Sequence, residues 1–182
     1  GVLAEAAYPV VTTTKGTIFK AYINQVPYSV NEALLLCDGN CSGGGGALQF
    51  VARRSDPIPD RNPRVLCDLR KFDASDFGIV FMADTKSTHC AAAEAPKLGV
   101  FRKAYGAAAL ETLALEGEAS DPPGSTYEEF EGYPTIGDDG FVAFRAEWSG
   151  VARGLRLLLC DPAVCPATRP TDPAPPASTS TR

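Results

Sequence analysis

The sequence predicts an all-β protein in which a four-stranded antiparallel sheet repeats about every 62 residues. Glycine precedes a short apolar strand at Gly16, Gly78 and Gly140, at steps of 62 and 62 residues. Leu-Leu-Leu-Cys-Asp occurs at 34–38 and again at 157–161, about twice that period. With 17 Gly and 15 Pro in 182 residues, the chain has frequent turns and little room for long helices. Matches that share one period indicate copies of one supersecondary unit.

Ten segments carry the β-branched, aromatic and Leu-rich patterns that are typical of strands. Segment 107–119 is rich in the helix formers Ala, Leu and Glu, yet we predict a strand there. It occupies the same place in the second unit as 47–52 in the first, and that place should outweigh local propensity. The predicted strands are 17–23, 33–38, 47–54, 64–70, 78–84, 98–103, 109–116, 127–136, 140–148 and 154–160.

Four antiparallel strands per repeat are typical of a blade, so the predicted fold is β-propeller-like. The predicted β-repeat domain, 1–165, has units at about 16–77, 78–139 and 140–165, with 1–15 as a completing strand. Propellers usually need four or more blades, whereas this chain holds fewer than three full units. The chain is therefore interpreted as a partial or few-bladed propeller, an open array of sheets, or a sandwich.

Residues 166–182, PATRPTDPAPPASTSTR, predict a disordered Pro/Ser/Thr-rich tail. The segment contains no aromatic residue and cannot bury enough apolar surface to offset the entropy of ordering. Stalks of this composition commonly tether a domain to a surface, so a surface anchor beyond the tail is one expectation. The single Met is Met82, and we expect the chain to start at a processing site or at a cut in a longer sequence.

Composition and charge exclude several classes of protein. The formal charge of −5 sets aside nucleic-acid binding, because proteins that grip phosphates are normally basic. No apolar run approaches the roughly 18 residues of a membrane-spanning helix, so no transmembrane segment is predicted. Six Cys with a single His and a single Met are typical of an exported protein with disulfides. The predicted location is secreted or cell-surface.

The repeat, together with the cysteine spacing, predicts three disulfides. Two close pairs each follow a Leu-Leu-Leu strand, and each would staple the turn after it. The two remaining cysteines would then pair with each other. Zinc is the alternative for the close pairs, but they lie far apart in sequence and the single His is near neither. The predicted pairs are Cys37–Cys41, Cys160–Cys165 and Cys67–Cys90.

Several stretches resemble repeats in bacterial exported proteins of unknown function, which are β-propeller-like and often end in a surface-sorting segment. They are Asp-Gly-Phe-Val-Ala-Phe-Arg-Ala at 139–146, Leu-Ala-Leu-Glu-Gly-Glu at 113–118 and Tyr-Pro-Thr-Ile at 133–136. The resemblance spans most of 8–160 and is clearest at 98–160. It implies export, a propeller-like fold and surface anchoring. It implies no known activity and no catalytic residue.

Candidate catalytic and metal-binding groups are few. His89 is the only His and would have to serve any Ser-His or Cys-His device, but no Gly-x-Ser-x-Gly accompanies it, which favours an exposed loop residue. Glu128, Glu129 and Glu131, with the turn at 138–139, could in principle run glycoside hydrolysis or bind calcium. Calcium is kept as an alternative to having no cofactor. Two carboxylates converging about 5–10 Å apart in a cleft would favour a hydrolase.

Aromatic residues cluster in sequence near the junction of the second and third units. The structural interpretation is packing between sheets, and the functional one is a binding surface formed by Tyr127, Phe130, Tyr133 and Trp148. A further set of apolar side chains is predicted to form the core: Phe19, Leu35, Phe50, Phe81, Phe101, Leu113, Val142, Phe144 and Leu158.

Taken together, these features predict a non-enzymatic exported module that is displayed on a cell surface. It would be either a binding module or a structural one. Its partner would be a protein or carbohydrate of unknown identity. One alternative is a secreted hydrolase that uses acidic loop residues. Another is that the chain is a truncated piece of a larger propeller, which unpaired apolar sheet faces at either end would support.

Overall fold

The computed structural model describes residues 2–24, 31–39, 46–120, 123–150 and 154–161. These residues form three four-stranded antiparallel sheets and contain no α-helix. The prediction of an all-β protein built from antiparallel sheets is therefore confirmed. Within the described ranges the sheets do not close into a barrel or a propeller.

Each sheet is built mainly from strands that are neighbours in sequence. Sheet 1 contains β1 (Val2–Thr13), β2 (Gly16–Asn24), β3 (Glu32–Asp38) and β4 (Ala47–Arg53), in that order. A 3₁₀ turn at Pro59–Arg61 leads to sheet 2, with β5 (Val65–Ala74), β6 (Gly78–Lys86), β7 (Lys97–Ala104) and β8 (Glu111–Leu115). Sheet 3 has the order β12-β11-β10-β9, from β9 (Ala119–Ser120), β10 (Ser125–Ile136), β11 (Val142–Gly150) and β12 (Gly154–Cys160).

The helix-prone segment 107–119 contains strand β8 and no helix. The strands group into sheets one strand earlier than the predicted unit limits, however. The strand predicted at 64–70 is β5 and belongs to sheet 2, while β1, within the predicted completing segment, pairs with β2. The physical reason is turn length, because β5 and β6 are joined by a tight hairpin turn, whereas a longer loop separates β4 from β5.

The three sheets stack face to face with sheet 2 in the middle. Ile79, Phe81 and Phe101 of sheet 2 belong to one core cluster with the buried side chains of sheet 1. On the opposite face, Met82 and Val100 belong to a second cluster with the buried side chains of sheet 3. Sheet 2 is therefore covered on both faces, which is why β6 is buried from Gly78 through Thr85.

The predicted core is correct for most positions and wrong for two. Phe50 is 50% exposed and Phe19 is only partly buried. Phe19 lies across from Val10, and Phe50 across from Leu35, on the face of sheet 1 that points away from sheet 2. No described sheet covers this face, so Phe19 and Phe50 remain partly or half exposed, whereas Leu35, which lies between them, is buried. The remaining predicted members are buried: Leu35, Phe81, Phe101, Leu113, Val142, Phe144 and Leu158.

Hydrogen bonds connect the hairpin turns of successive sheets. The Thr14 N–H donates to Asp76 Oδ1 at 2.8 Å, and the Asp76 N–H donates to Asp138 Oδ1 at 2.9 Å. The Ser75 hydroxyl also donates to the Gly137 carbonyl at 2.8 Å. Each of these bonds spans 62 residues of sequence. One hairpin turn of each sheet is thus held beside the corresponding turn of the next sheet.

Disulfides stabilise the edges of the stack. Cys67 and Cys90 are bonded, with a Cα–Cα distance of 5.1 Å, and tie β5 to the loop that follows β6. Cys37 and Cys160 are also disulfide-bonded, while their predicted partners, Cys41 and Cys165, lie outside the described residues. The predicted tail, 166–182, lies outside them as well. Over the described ranges no helix is long and apolar enough to cross a membrane.

Candidate functional site

A groove with a volume of about 530 Å³ runs between sheets 2 and 3 and gathers charged side chains. Asp84, at the end of β6, is only 9% exposed and accepts a hydrogen bond from the Arg70 guanidinium at 2.7 Å. This hydrogen bond raises the pKa of Arg70 above its ordinary value. The charged residues that line the groove are Arg70, Lys71, Asp84, Glu116, Glu129 and Glu131.

Glu116 is the most chemically distinctive group of this groove. Burial raises the pKa of its carboxyl above the ordinary value, and the nearby charges of Asp84 and Glu129 raise it further. The Leu98 N–H donates to Glu116 Oε2 at 2.8 Å and acts in the opposite direction. A carboxyl with a raised pKa beside an ion-paired aspartate can donate a proton, which is a property of glycosidase sites.

Of the acids singled out from the sequence, two line the groove and the others do not. Glu129 and Glu131, both on β10, lie at the groove, and Glu131 also pairs with Arg145 at 3.1 Å. Asp138 accepts the Asp76 N–H, and Asp139 accepts the Phe141 N–H at 3.1 Å, so both stabilise hairpin turns. Glu128 is exposed. No group of three or more His, Cys, Asp or Glu side chains in the described part of the chain is placed to hold a metal ion.

His89 lies exposed in the loop between β6 and β7, next to the Cys67–Cys90 disulfide. Its side chain does not line the groove between sheets 2 and 3. The structure therefore does not bring the single His to the acidic groove.

The predicted aromatic surface is divided by the fold. Phe130 and Trp148 are 4% and 3% exposed, so neither is available to a ligand. Tyr127 packs on Phe130, with 5.4 Å between ring centroids. Tyr133 alone of the four is well exposed, and the Lys71 Nζ lies 5.3 Å from its ring centroid. The physical reason is the β-bulge between Tyr127 and Glu129 in β10, which brings Tyr127 and Phe130 to the same face, in the core cluster between sheets 2 and 3.

A buried ion pair between sheets 1 and 2 was not predicted from the sequence. Glu32 is 2% exposed, and its carboxylate lies 2.5 Å from Lys20 Nζ and 3.7 Å from the Arg54 guanidinium. The Leu69 N–H donates to Glu32 at 2.9 Å, and Lys20 donates to the Leu69 carbonyl at 2.5 Å. The sequence does contain a sign of this ion pair. Lys20 interrupts the apolar residues of β2 on the face that carries Ile18, which is buried in the core.

Burial disfavours the charged form of Lys20, but the hydrogen bond and charge of Glu32, with Asp68 at 3.5 Å, more than offset it. The pKa of Lys20 is therefore raised above its ordinary value of 10.5. This cluster docks sheet 1 onto β5 and is structural in character.

The largest exposed apolar side chains lie on the two ends of the stack. On sheet 3, Leu155, Leu157 and Leu159 are 45%, 69% and 59% exposed, and they lie across from Glu147, Arg145 and Ala143 on the face away from sheet 2. We call this the outer face of sheet 3.

The corresponding outer face of sheet 1 carries Val10, Leu48 and Phe50, at 46%, 47% and 50% exposure. These residues lie across from Phe19, Cys37 and Leu35, which point away from sheet 2. Together the two outer faces hold six of the eight large apolar side chains that are exposed in the described residues. Soluble monomers rarely concentrate exposed apolar surface in this way unless it contacts a partner.

Comparisons of this chain with protein-family models, with curated proteins and with solved structures find no match.

Proposed function

We propose that this chain is a non-enzymatic binding or structural module that acts through the outer faces of its sheet stack. The observation that carries the proposal is the concentration of exposed Leu, Val and Phe side chains on those two faces. An apolar sheet face suits a protein partner better than a carbohydrate, since sugars require a dense set of hydrogen-bonding groups. The partner class we favour is therefore protein.

The buried charged groups support a structural module, because they connect one sheet to the next. The Arg102 side chain, 4% exposed, pairs with Glu111 at 2.7 Å. The same guanidinium donates to the Gly140 carbonyl of sheet 3 at 3.0 Å. Arg102 thus joins sheets 2 and 3, as Lys20 and Glu32 join sheets 1 and 2.

Export and surface display complete the proposal. The disulfide-bonded state of Cys37, Cys67, Cys90 and Cys160 fits an oxidising compartment. Three sheets stacked face to face fit an arc of a β-propeller-like array, in which each sheet is covered by its neighbours. Surface display rests on the composition of the tail.

Polar substitution of the outer face of sheet 3 tests the proposal. At a protein concentration at which the wild type is monomeric, the triple variant L155T/L157T/L159T should unfold in urea at the same midpoint as the wild type or higher, because exposed positions rarely change stability by more than about 0.5 kcal/mol. Its binding of 8-anilino-1-naphthalenesulfonate at low protein concentration should fall several-fold. A large loss of stability with unchanged dye binding would show that these leucines belong to the core, and the proposal would be wrong.

A secreted hydrolase is the second candidate, and Glu116 in the groove between sheets 2 and 3 is the observation that favours it. The full chain is assayed against chromogenic glycosides, with E116Q as the test variant and E131Q as the control from the same groove. Turnover that E116Q abolishes and E131Q retains would establish the hydrolase and overturn the non-enzymatic proposal. We expect no turnover from any of the three proteins.

A further inference from the structure

The two junctions inside the stack are built in the same way. Phe81 and Ala83 of β6 point toward sheet 1, in the core cluster that also contains Leu34 and Leu36 of β3. Phe144 and Ala146 of β11 point toward sheet 2, in the cluster that contains Val100 of β7. At each junction a Phe-x-Ala face therefore receives the apolar side chains of the third strand of the preceding sheet.

Sheet 1 carries the same receiving pattern on its outer face. Phe19 and Ala21 occupy β2 with the same spacing, and they cluster with Leu35 and Ala33 on the side away from sheet 2. Ala21, Ala33 and Leu35 are themselves buried, whereas Val10 and Phe50, on the flanking strands of the same face, are about half exposed. The outer face of sheet 1 thus has the composition of a receiving face without a preceding sheet among the described residues.

Sheet 3 carries the inserting pattern on its outer face. Leu157 and Leu159 match Leu34 and Leu36 in the shared Leu-Leu-Leu-Cys-Asp sequence. The strand partners match too, since Leu34 lies across from Lys20 and Leu157 across from Arg145. Leu34 and Leu36 are 1% and 7% exposed, whereas Leu157 and Leu159 are 69% and 59% exposed. The difference is that sheet 2 covers the first pair.

We propose that the outer face of sheet 3 docks on the outer face of sheet 1 of a second copy of this chain. The contact would continue the junction that occurs twice within each copy, because one molecule presents both halves of it. Two copies joined at both ends would close a ring of six sheets, which lies within the usual range of propellers. This inference rests on the proposed function and names its partner.

The charges near both faces are compatible with such a contact. Arg145 on the outer face of sheet 3 is paired with Glu131 at 3.1 Å. Arg53, beside the outer face of sheet 1, pairs with Asp56 at 3.3 Å and stacks 5.0 Å from the centroid of the Phe50 ring. Docking therefore buries leucine and phenylalanine without leaving these charges unpaired.

Sedimentation velocity of the full chain over a range of concentrations tests the proposal. The wild type should sediment as a dimer. L157D and F50K should each remain monomeric up to concentrations at least about 30 times higher than the concentration at which the wild type dimerises. A charge at the centre of an apolar contact weakens that contact strongly. Y133S is the matched control, because Tyr133 is as exposed but its ring lies beside Lys71 of sheet 2, and it should remain dimeric. Circular dichroism of each variant verifies its fold.

Mixing the two monomeric variants gives the decisive result. L157D retains the outer face of sheet 1 and F50K retains that of sheet 3, so an equimolar mixture should form a 1:1 dimer. A wild type that is monomeric at every concentration overturns the proposal, as does a dimer that persists in F50K but not in L157D, which would mean that sheet 3 pairs with sheet 3.

The dye experiment separates this inference from the proposed function. Monomeric F50K exposes an intact outer face of sheet 3, so it should bind 8-anilino-1-naphthalenesulfonate, and F50K/L157T/L159T should bind several-fold less. Dye binding by a wild type that stays monomeric overturns the second copy as partner but retains the face as a binding surface. If the wild type neither dimerises nor binds the dye, both proposals are wrong.

Discussion

Replacing Glu32 by Gln should destabilise the chain by about 3 kcal/mol, because it leaves the buried Lys20 ammonium without its closest counter-charge. The Glu32 side chain is 3% exposed and that of Lys20 is 14% exposed. Removing one partner of a buried ion pair costs about 3–5 kcal/mol. The lower end applies here, since Lys20 keeps the Leu69 carbonyl and Asp68 as neighbours. For a chain of this length the melting temperature should fall by about 6–12 °C.

Urea unfolding followed by circular dichroism measures this effect in a double-mutant cycle of E32Q, K20M and K20M/E32Q. The two single variants should lose more in sum than the double variant, because the double variant leaves no buried charge unpaired. E118Q is the control, since its partner Arg61 is 31% exposed and loss of that pair should cost less than about 1 kcal/mol. An E32Q cost below about 1 kcal/mol, or strictly additive single variants, would refute the reasoning.

The pH dependence of unfolding provides an independent measurement. The pKa of Lys20 is raised above 10.5 in the folded chain. Its contribution to stability is therefore fully present below the unfolded pKa and is lost as the pH rises through the folded pKa. The wild type should lose more stability above pH 10.5 than K20M does. Equal alkaline losses in the two proteins would contradict a stabilising role for the Lys20 charge.

Three further experiments with substituted chains test the packing of the stack. F81A should cost about 3–5 kcal/mol in urea unfolding, because Phe81 is fully buried and packs 5.5 Å from the Phe101 ring; a cost under about 1 kcal/mol would contradict the central place of sheet 2. C67A/C90A should lower the free energy of unfolding by about 3 kcal/mol, since the disulfide closes a loop with a sequence separation of 23. An unchanged urea midpoint would mean that packing alone holds the loop in place. G140A should destabilise more than G106A in thermal melts, because both glycines have positive φ but only at Gly140 would a Cβ meet the Phe77 ring, at 2.7 Å; equal losses would assign the whole cost to backbone strain.

Sequence patterns could predict the strands because alternation and turn chemistry are local properties. The strand at Glu111–Leu115 shows the limit of local propensity, since a run of Ala, Leu and Glu favours a helix in isolation. Its place beside β7 supplies ladder hydrogen bonds and a covered face, and these outweigh a preference of a few tenths of a kcal/mol per residue.

The candidate sites were harder to predict because they depend on which sheet covers which face. Trp148 and Phe130 looked like a binding platform in sequence, but both are buried, Phe130 in the core cluster between sheets 2 and 3. Phe50 looked like core, yet it lies on an end sheet. Glu116 drew no attention in the sequence, because its environment comes from burial, from Asp84 two strands away in the same sheet and from Glu129 on another sheet. Such relations are tertiary, and strand periodicity alone does not contain them.

The coverage of sheet 2 on both faces has a consequence for how the chain comes apart. Most contacts join neighbouring strands or successive sheets, so the stack behaves as a one-dimensional array with nearest-neighbour coupling. Opening an end sheet breaks one junction, whereas opening the central sheet breaks both. Backbone amides of β6 and β7 should therefore exchange with deuterium last, and unfolding should advance inward from sheets 1 and 3. If two copies close into a ring, no sheet is terminal, and this gradient of protection should disappear.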